Sequence, residues 1–398
     1  ALIATSAARH GISNYYADKA FLVESLSFSE NAISYQPRNP YAYRSKGMIL
    51  FTNKDYDGAA EAFENAIKLR ENDYLLWLQL GLCREKLGQF DAAVAAYERA
   101  IVLAPSYSQP KYNLGLTQFN RGRYDVAFRI LSEAAANDIE LYPSLLDLAD
   151  TAFRNDPHAI ENAVRASSYD AKKVVVGYLI GKNLMTDNIR SFLLSSELDK
   201  KDRDGFIRSL INRGDFQIAR EVWLTTVNFD AADRNQLIFD GGFEKTNESD
   251  EIGFGWKIDQ TASALVVRVS EKEFRSGARS LVLKFAGDVE LNRRLISQLT
   301  HVLPRRKYRL TFFFRSAEMI SAGPPAVVVS DAMSNKTLAR SAVIQTTQAE
   351  WKESVVDFEV SDTQAVVISL QRPSCTSSPC PLFGELSLDD FSLVEIKK

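Results

Sequence analysis

The chain has 398 residues, of which 45% are hydrophobic and 25% charged, and its formal net charge is −3. This length suits two or three domains, and the ordinary composition excludes gross disorder and collagen-like structure. The near-balance of charge gives no general attraction to nucleic acid or to an anionic membrane, and no stretch approaches the roughly 20 apolar residues of a membrane-spanning helix.

The sequence opens with the run Ala1–Ala4, for which two interpretations stay open. The run is either the tail of a removed signal or anchor helix, or only the place where the sequence begins. A membrane anchor preceding Ala1 is therefore one expectation.

A repeat of about 34 residues dominates the first half of the chain. Gly47, Gly81 and Gly115 are evenly spaced, and alanines follow each of them at two fixed positions. Large residues also follow the same glycines at one fixed position: Phe63, Tyr97 and Leu131. The small residues let two helices approach closely, and the large ones fill the space between neighbouring helix pairs. Such pairs cannot bury their apolar faces alone, so several must stack.

These residues resemble the tetratricopeptide repeat family, in three clear units over about 40–138. Helical periodicity continues on both sides without the consensus residues, and we interpret those stretches as degenerate repeats of one solenoid. The predicted helical domain covers 1–232.

The resemblance implies a groove lined by the first helix of each unit and occupied by a protein or peptide segment. By register its residues are Tyr41, Arg44, Met48, Phe51, Leu78, Leu82, Tyr112, Leu116 and Phe119. This apolar and aromatic surface favours an amphipathic or extended segment. The carboxylate clamp of some family members is not expected, because Arg44 and Met48 occupy its positions. The occupant is either an external partner or another part of the same chain.

The apolar pattern changes after about Gln236 from helical spacing to alternation, as in 264–269 and 308–314. The boundary is predicted within 228–235, so that a second domain covers 233–398. Neither part is basic, since the net charge is −2 before this boundary and −1 after it. A nucleic-acid partner is therefore not expected.

The second domain resembles the carbohydrate-binding jelly rolls and the wider galactose-binding-like sandwiches. The resemblance is carried by the order of several segments, from 239–244 and 253–256 through 276–283 and 303–310 to the terminal 386–393. It implies an antiparallel β-sandwich that binds a polysaccharide or serves as a spacer. The complete expected architecture is thus a helical solenoid followed by a jelly-roll sandwich.

Two tryptophans and three carboxylates are candidate ligands in the sandwich. Trp256 and Trp351 could stack on sugar rings, although both stand at motif positions where packing in the core or at its rim is the alternative. Glu244, Asp389 and Asp390 occupy places where related modules hold a structural calcium, the only cofactor considered. Their alternative role is to hydrogen-bond turns. One aromatic of 312–314 is expected to face outward.

No catalytic constellation is recognisable. His10, His158 and His301 lack ligand spacing, and no zinc motif or nucleophile elbow is present. Adjacent carboxylates on one strand, such as Asp389 and Asp390, are expected to point to opposite faces, which makes a poor acid/base pair. An enzyme built from distant carboxylates remains the least favoured alternative.

The positions of the cysteines indicate a cellular compartment. Cys375 and Cys380 bracket a short loop rich in proline and serine, which suggests a disulfide staple, while Cys83 is expected to be buried in a repeat helix. A disulfide is typical of the periplasm or the cell exterior. We therefore predict an exported, non-enzymatic interaction scaffold with a glycan-binding-like module, for which bacterial envelope or exopolysaccharide assembly is one setting. The rival is a dedicated carbohydrate-binding protein with the repeats as a stalk.

Overall fold

The computed structural model describes residues 2–227, 236–245, 250, 252–262, 264–344, 347–376 and 380–397, with only the backbone for 2–5. The predicted boundary stretch 228–235 lies outside these residues. The chain forms two compact units, Ala1–Thr186 and Asp187–Lys398. None of the described helices combines the length and apolar character that crossing a membrane requires.

The described part of the chain up to Val227 forms fourteen α-helices. They are α1 Leu2–Val23, α2 Leu26–Tyr35, α3 Pro40–Thr52, α4 Tyr56–Leu69, α5 Tyr74–Lys86, α6 Phe90–Leu103, α7 Ser108–Asn120, α8 Tyr124–Asn137, α9 Tyr142–Phe153, α10 Pro157–Val164, α11 Tyr169–Gly181, α12 Asp187–Leu194, α13 Lys200–Arg213 and α14 Phe216–Leu224. Within the first unit, successive helices from α1 to α10 pack as hairpins. The predicted helical periodicity is confirmed on both sides of the clear repeats.

Local signals explain where these helices begin and end. The side chains of Asn39, Asp55 and Asp73 accept hydrogen bonds from backbone N–H groups in the first turns of α3, α4 and α5. Gly88 and Gly122 have φ angles of +72° and +74° in the tight turns within two hairpins, a conformation that favours glycine.

The glycine register has a direct packing cause. A Cβ atom built on Gly47 would lie 2.8 Å from the Phe63 ring, and one on Gly81 would lie 2.5 Å from the Tyr97 ring. The equivalent atom on Gly115 would lie 2.5 Å from Leu131. Each glycine therefore lets the first helix of a hairpin contact the large residue at the matching register position of the second helix.

The described strands of the second unit form two five-stranded antiparallel sheets. The strands are β1 Trp256–Ile258, β2 Leu265–Ser270, β3 Ser280–Gly287, β4 Ile296–His301, β5 Lys307–Ser321, β6 Ala326–Asp331, β7 Thr337–Arg340, β8 Gln348–Glu359, β9 Ala365–Gln371 and β10 Leu382–Glu395. One sheet has the order β1-β4-β9-β6-β7 and the other β2-β3-β10-β5-β8. The two sheets enclose one core of aliphatic and aromatic side chains. The expected fold class, a helical solenoid followed by an antiparallel sandwich, is confirmed.

The second unit also contains the last three helices. Trp223 of α14 packs edge-on against Phe239 at a ring-centroid distance of 5.2 Å and contacts Phe254 at 5.8 Å. Its indole N–H donates a hydrogen bond of 2.9 Å to Asp250, whose carboxylate also accepts from the N–H groups of Gly253 and Gly255. Helix α14 is thus joined to the loop that leads into β1.

Candidate functional site

The first helices of the successive hairpins lie side by side and form one face of the repeat unit. Polar side-chain contacts connect neighbouring first helices. The Tyr41 hydroxyl of α3 donates a 2.8 Å hydrogen bond to Asp18 of α1, and the Gln79 amide of α5 contacts the Met48 sulfur of α3 at 2.9 Å. The Thr117 hydroxyl of α7 contacts the Glu85 carboxylate of α5 at 3.1 Å. We call the face formed by α1, α3, α5 and α7 the groove face.

Eight of the nine predicted groove residues, all except Leu78, are at least partly exposed on α3, α5 and α7. Six of these eight are Tyr41, Arg44, Met48, Leu82, Tyr112 and Leu116. A role for them in binding stays a prediction, because partial exposure alone does not show that a partner contacts them.

The other three predicted groove residues have different neighbours. Leu78 is only 8% exposed and packs in the core between two hairpins, in the same cluster as Leu114. Phe51 contacts Tyr56 at a ring distance of 5.4 Å, and Phe119 contacts Tyr124 at 5.1 Å. These two phenylalanines therefore pack against the start of the second helix of their own hairpins. Leu78 is thus largely buried, and its role in the groove stays a prediction.

The groove face also contains polar groups that the repeat pattern did not predict. Asp18, Gln79 and Glu85 connect neighbouring helices, but none of them stands at a position that the repeat consensus defines. Their position on the first helices was the signal in the sequence, because a polar side chain next to a half-buried apolar one needs a hydrogen-bond partner.

Three buried polar atoms on α3, α5 and α7 have no hydrogen-bond partner among the described residues: Nε of Arg44, Oε1 of Gln79 and Oε1 of Gln118. Arg44 Nε is a donor on α3, and Gln79 Oε1 is an acceptor on α5. Most buried polar atoms in folded proteins are hydrogen-bonded, and leaving one unsatisfied costs about 1–3 kcal/mol. The unsatisfied Arg44 Nε and Gln79 Oε1 therefore make α3 and α5 candidate helices for contact with a polar ligand group.

The tyrosines near this pair remain protonated at neutral pH. Donation of a hydrogen bond to Asp18 raises the pKa of Tyr41, and burial raises the pKa of Tyr74, with Tyr107 adding to the effect. The rings of Tyr74 and Tyr107 lie 4.8 Å apart, at the amino-terminal ends of α5 and α7. The hydroxyl groups along this edge are therefore hydrogen-bond donors.

The tryptophans of the sandwich differ in accessibility. Trp256 is 2% exposed, packs against Phe243 and Phe391 with ring distances of 5.0 Å, and donates its indole N–H to the carbonyl of Asp240. Its ring has no face free for a sugar, so the structure supports the alternative of core packing. Trp351 is half-buried on β8, the edge strand of its sheet.

The three carboxylates considered for calcium already accept hydrogen bonds. Glu244 accepts from the N–H groups of Ala278 and Arg279, and Asp389 accepts from those of Arg275 and Ser276. Within the described parts of the chain, no three side chains of the types that ligate metals lie close enough to hold an ion. These contacts support the role of holding turns, and calcium binding remains a prediction that calorimetry tests.

The expectation that Asp389 and Asp390 point to opposite faces is wrong. Asp390 accepts from the Arg275 guanidinium at 2.6 Å and from the Ser276 hydroxyl at 2.8 Å, so it faces the same loop as Asp389. The cause is a bulge, because the pairing register of β10 with β5 shifts after Asp389 and Asp390 has a φ of +53°.

A cavity of about 1070 Å³ lies beside these carboxylates on the outer side of the sheet that contains β5 and β10. It is lined by apolar and charged groups that include Phe313, Arg275 and Asp390. As expected, one of the three consecutive phenylalanines faces outward: Phe312 is fully buried, whereas Phe313 reaches the cavity. The Arg275 guanidinium stacks on the Phe313 ring at 3.5 Å and so covers one of its faces.

The predicted disulfide is present between Cys375 and Cys380, whose Cα atoms are 6.4 Å apart. Cys83 is a free buried thiol on α5, also as expected.

Comparison with known proteins identifies the repeats. Sequence profiles of the tetratricopeptide repeat match residues 40–73 and 74–107, two of the three predicted units. The N-terminal half contains tetratricopeptide repeats. Their assignment agrees with the contacts that the three register glycines make. No curated protein matches the chain.

Three solved structures illustrate the degree of similarity to known proteins. MamA from Desulfovibrio magneticus RS-1, from residue 41 to its end, is 18% identical, with a TM-score of 0.36, over 44% of this chain and 97% of that one. YrrB, described as a TPR protein with an unusual peptide-binding site, is 19% identical, with a TM-score of 0.33, over 44% and 91%. The first TPR of Spaghetti (RPAP3), bound to the HSP90 peptide SRMEEVD, is 16% identical, with a TM-score of 0.27, over 28% and 91%.

Proposed function

We propose that this protein is a non-enzymatic interaction scaffold whose groove face binds a peptide segment of a protein partner. The tetratricopeptide repeats support the scaffold role. The unsatisfied Arg44 Nε and Gln79 Oε1 carry the finer proposal, because each atom is buried without a hydrogen-bond partner among the described residues.

A peptide backbone has the chemistry that this pair requires. Its carbonyl oxygen can accept from Arg44 Nε, and its N–H group can donate to Gln79 Oε1, whereas an apolar surface could do neither. The partly exposed Met48 and Leu82 on the same helices offer apolar contact to side chains of the segment. Recognition would thus combine backbone hydrogen bonds with apolar side-chain contacts.

Selection of binding peptides from a random library against the full chain provides the ligand for a direct test. Arg44→Met keeps much of the side-chain volume but removes the donor, so we expect the selected peptides to bind at least tenfold more weakly, measured by calorimetry. Val102→Ala, which changes an exposed residue on the second helix α6, is the matched control and should bind normally. Equal affinity of both variants would refute the assigned site, and a library without any binder would refute peptide binding.

For the sandwich we propose a secondary role in glycan binding, favoured by the cavity beside Phe313. Saccharide sites combine an aromatic face with polar groups for hydroxyls, and the cavity contains Phe313, one face of which Arg275 covers, together with the charged groups of Arg275 and Asp390. The role as a spacer predicts that no glycan binds. A glycan array on the full chain discriminates these roles, and Phe313→Ala should abolish any signal located in the cavity. If Phe313→Ala retains glycan binding and Trp351→Ala loses it, the glycan site lies on the edge strand β8 instead.

The proposed location is the periplasm or the cell exterior, with envelope or exopolysaccharide assembly as the setting. The Cys375–Cys380 disulfide is compatible with such a compartment. Dedicated carbohydrate binding with the repeats as a stalk is the alternative, and it predicts that groove variants leave all binding partners unaffected. An enzyme with a hidden carboxylate site is the least favoured, since two of the cavity carboxylates are already bound: Asp390 to Arg275 and Ser276, and Glu244 to backbone N–H groups.

A further inference from the structure

The sandwich contains a buried arginine beside its disulfide. Arg372 follows β9 directly and is only 1% exposed. Its guanidinium donates to the carbonyl oxygens of Gly323, Val289 and Cys380. Among the described residues it forms no ion pair. Burial lowers the pKa of Arg372, and the charge of Asp288 acts in the opposite direction. The acceptors that hold this buried cation are therefore neutral.

One further group in contact with Arg372 is a disulfide sulfur. Nη2 of Arg372 lies 2.8 Å from Sγ of Cys380. The guanidinium thus contacts the bond at its Cys380 end, which gives the two sulfurs different electrostatic surroundings.

The backbone at Gly323 leaves room for the disulfide. A Cβ atom on Gly323 would lie 2.9 Å from the Cys380 sulfur and 3.1 Å from Cβ of Cys375. The loop is further held by hydrogen bonds from Thr376 to the carbonyl of Ala322. Gly323 therefore supports the disulfide on one side while Arg372 contacts it on another.

This asymmetry has a chemical consequence. In thiol–disulfide exchange a thiolate attacks one sulfur and the other sulfur leaves as a thiolate, which happens faster when the leaving thiol has a lower pKa. A nearby guanidinium lowers the pKa of a thiol. Reduction would also give the buried Arg372 cation an anionic partner, so the reduced form gains a favourable interaction that the disulfide cannot provide.

We propose that Cys375–Cys380 is a thiol–disulfide exchange site whose reduced form is stabilised by Arg372, and whose reductant is a dithiol. A thiolate of the dithiol attacks Sγ of Cys375, the S–S bond breaks, and Cys380 leaves as a thiolate beside Arg372. The second thiol of the reductant then attacks the mixed disulfide and releases Cys375, which takes up a proton. The dithiol is oxidised by two electrons to a cyclic disulfide, and one proton goes to solvent. This role is independent of the scaffold function.

The test compares the two cysteines as single thiols in the full chain. In a Cys83→Ala background, Cys375→Ser leaves only Cys380, and Cys380→Ser leaves only Cys375. The pH dependence of alkylation by iodoacetamide gives the pKa of each thiol, and we expect that of Cys380 to be lower by at least ~1 unit. Similar values for both thiols would overturn the proposal.

A second measurement addresses the disulfide itself. Equilibration of the Cys83→Ala chain with mixtures of reduced and oxidised dithiothreitol gives the reduction equilibrium by mass spectrometry. Arg372→Met should disfavour the reduced form about tenfold, which corresponds to about 30 mV for two electrons, and Arg372→Lys should restore part of the difference. An unchanged equilibrium in a folded Arg372→Met chain would identify the bond as a structural staple.

Discussion

The register glycines act by leaving room for one specific side chain each. At Gly81 the Tyr97 ring occupies the space where a Cβ atom would lie. At Gly11, on the exposed side of α1, no atom lies within 4 Å of an added Cβ atom. The two glycines are both helical and belong to the same unit, so they form a matched pair. The first is required by packing, and the second only weakens its helix.

Alanine substitution should therefore change stability in opposite directions at these two positions. Gly81→Ala forces the ring of Tyr97 to move and should lower the free energy of unfolding by about 1–3 kcal/mol. Gly11→Ala removes backbone freedom from the unfolded chain and should raise it by up to about 1 kcal/mol. Urea unfolding followed by circular dichroism measures both. Destabilisation of equal size in the two variants would show that the close approach at Gly81 is not the cause.

Asp389 provides a pH-dependent contribution to stability. Burial raises the pKa of Asp389 to about 6, against hydrogen bonds from backbone N–H groups that lower it, while the charge of Asp390 raises it further. Because the folded form binds a proton at higher pH than the unfolded form, this carboxyl makes the chain more stable as the pH falls from 7 towards 4. Its contribution is on the order of 2–3 kcal/mol.

Asp389→Asn should remove that pH dependence, because the amide does not titrate. Urea unfolding at pH 7, 6 and 5 should show a smaller gain on acidification in this variant than in the parent chain. Asp362→Asn, at a carboxylate that is 84% exposed, is the control and should retain the gain of the parent. The idea fails if the Asp389 variant and the parent gain the same stability between pH 7 and pH 5.

At the level of elements, the repeat pattern continues into α1 and α2 although the consensus residues are lost. Ser13 stands one repeat length before Gly47, and Ser29 stands one repeat length before Phe63. Both serines are fully buried. Ser29 is smaller than the Phe63 ring at the equivalent position. Ser13 can therefore be larger than the glycine at its own equivalent position. The sequence indicated degenerate repeats before residue 40, and this exchange of sizes explains why the consensus residues are missing there.

The same reasoning explains why the groove face was predicted only in part. Register positions in a repeat place a residue on a helix, but the tilt between hairpins decides whether its side chain points outward. Leu78 follows the register of Arg44 and Tyr112, yet it fills the space beside Leu114. Polar contacts between hairpins, such as that of Gln79 with Met48, depend on neighbours that no single repeat contains.

Helix α14 is expected to depend on one side chain for its attachment to the sandwich. Trp223 is 5% exposed and contacts Phe239, Phe254 and Asp250, so Trp223→Ala should lower the free energy of unfolding by about 3–5 kcal/mol. It should also increase hydrogen exchange in α13 and α14. Trp351→Ala, at a half-buried position on an edge strand, should have a clearly smaller effect on both. Comparable losses in the two variants would contradict the assigned role of Trp223.

At the level of the whole chain, the change from helical to alternating periodicity predicts the change of secondary structure well. The last described helix ends at Leu224 and the first described strand begins at Trp256, on either side of the predicted boundary stretch. Periodicity reports which element a segment forms, but not which neighbours it packs against. The compact units are divided at Thr186 and Asp187, so three helices belong with the strands. The predicted domain limit at 232 remains a separate hypothesis.

Two fragments distinguish these limits. Residues 187–398 keep the contacts of α14 with β4 and with the loop before β1, whereas residues 233–398 lose them and expose Phe239 and Phe254 to water. Burial of His301 on β4 lowers its pKa, with Arg220 of α14 contributing, which shows that α14 lies close to this strand. We expect the longer fragment to unfold cooperatively, and the shorter one to have a Tm lower by about 10 °C or more and to bind a hydrophobic dye. Equal Tm values for the two fragments would place the domain limit at 232 and make α12–α14 dispensable for the sandwich.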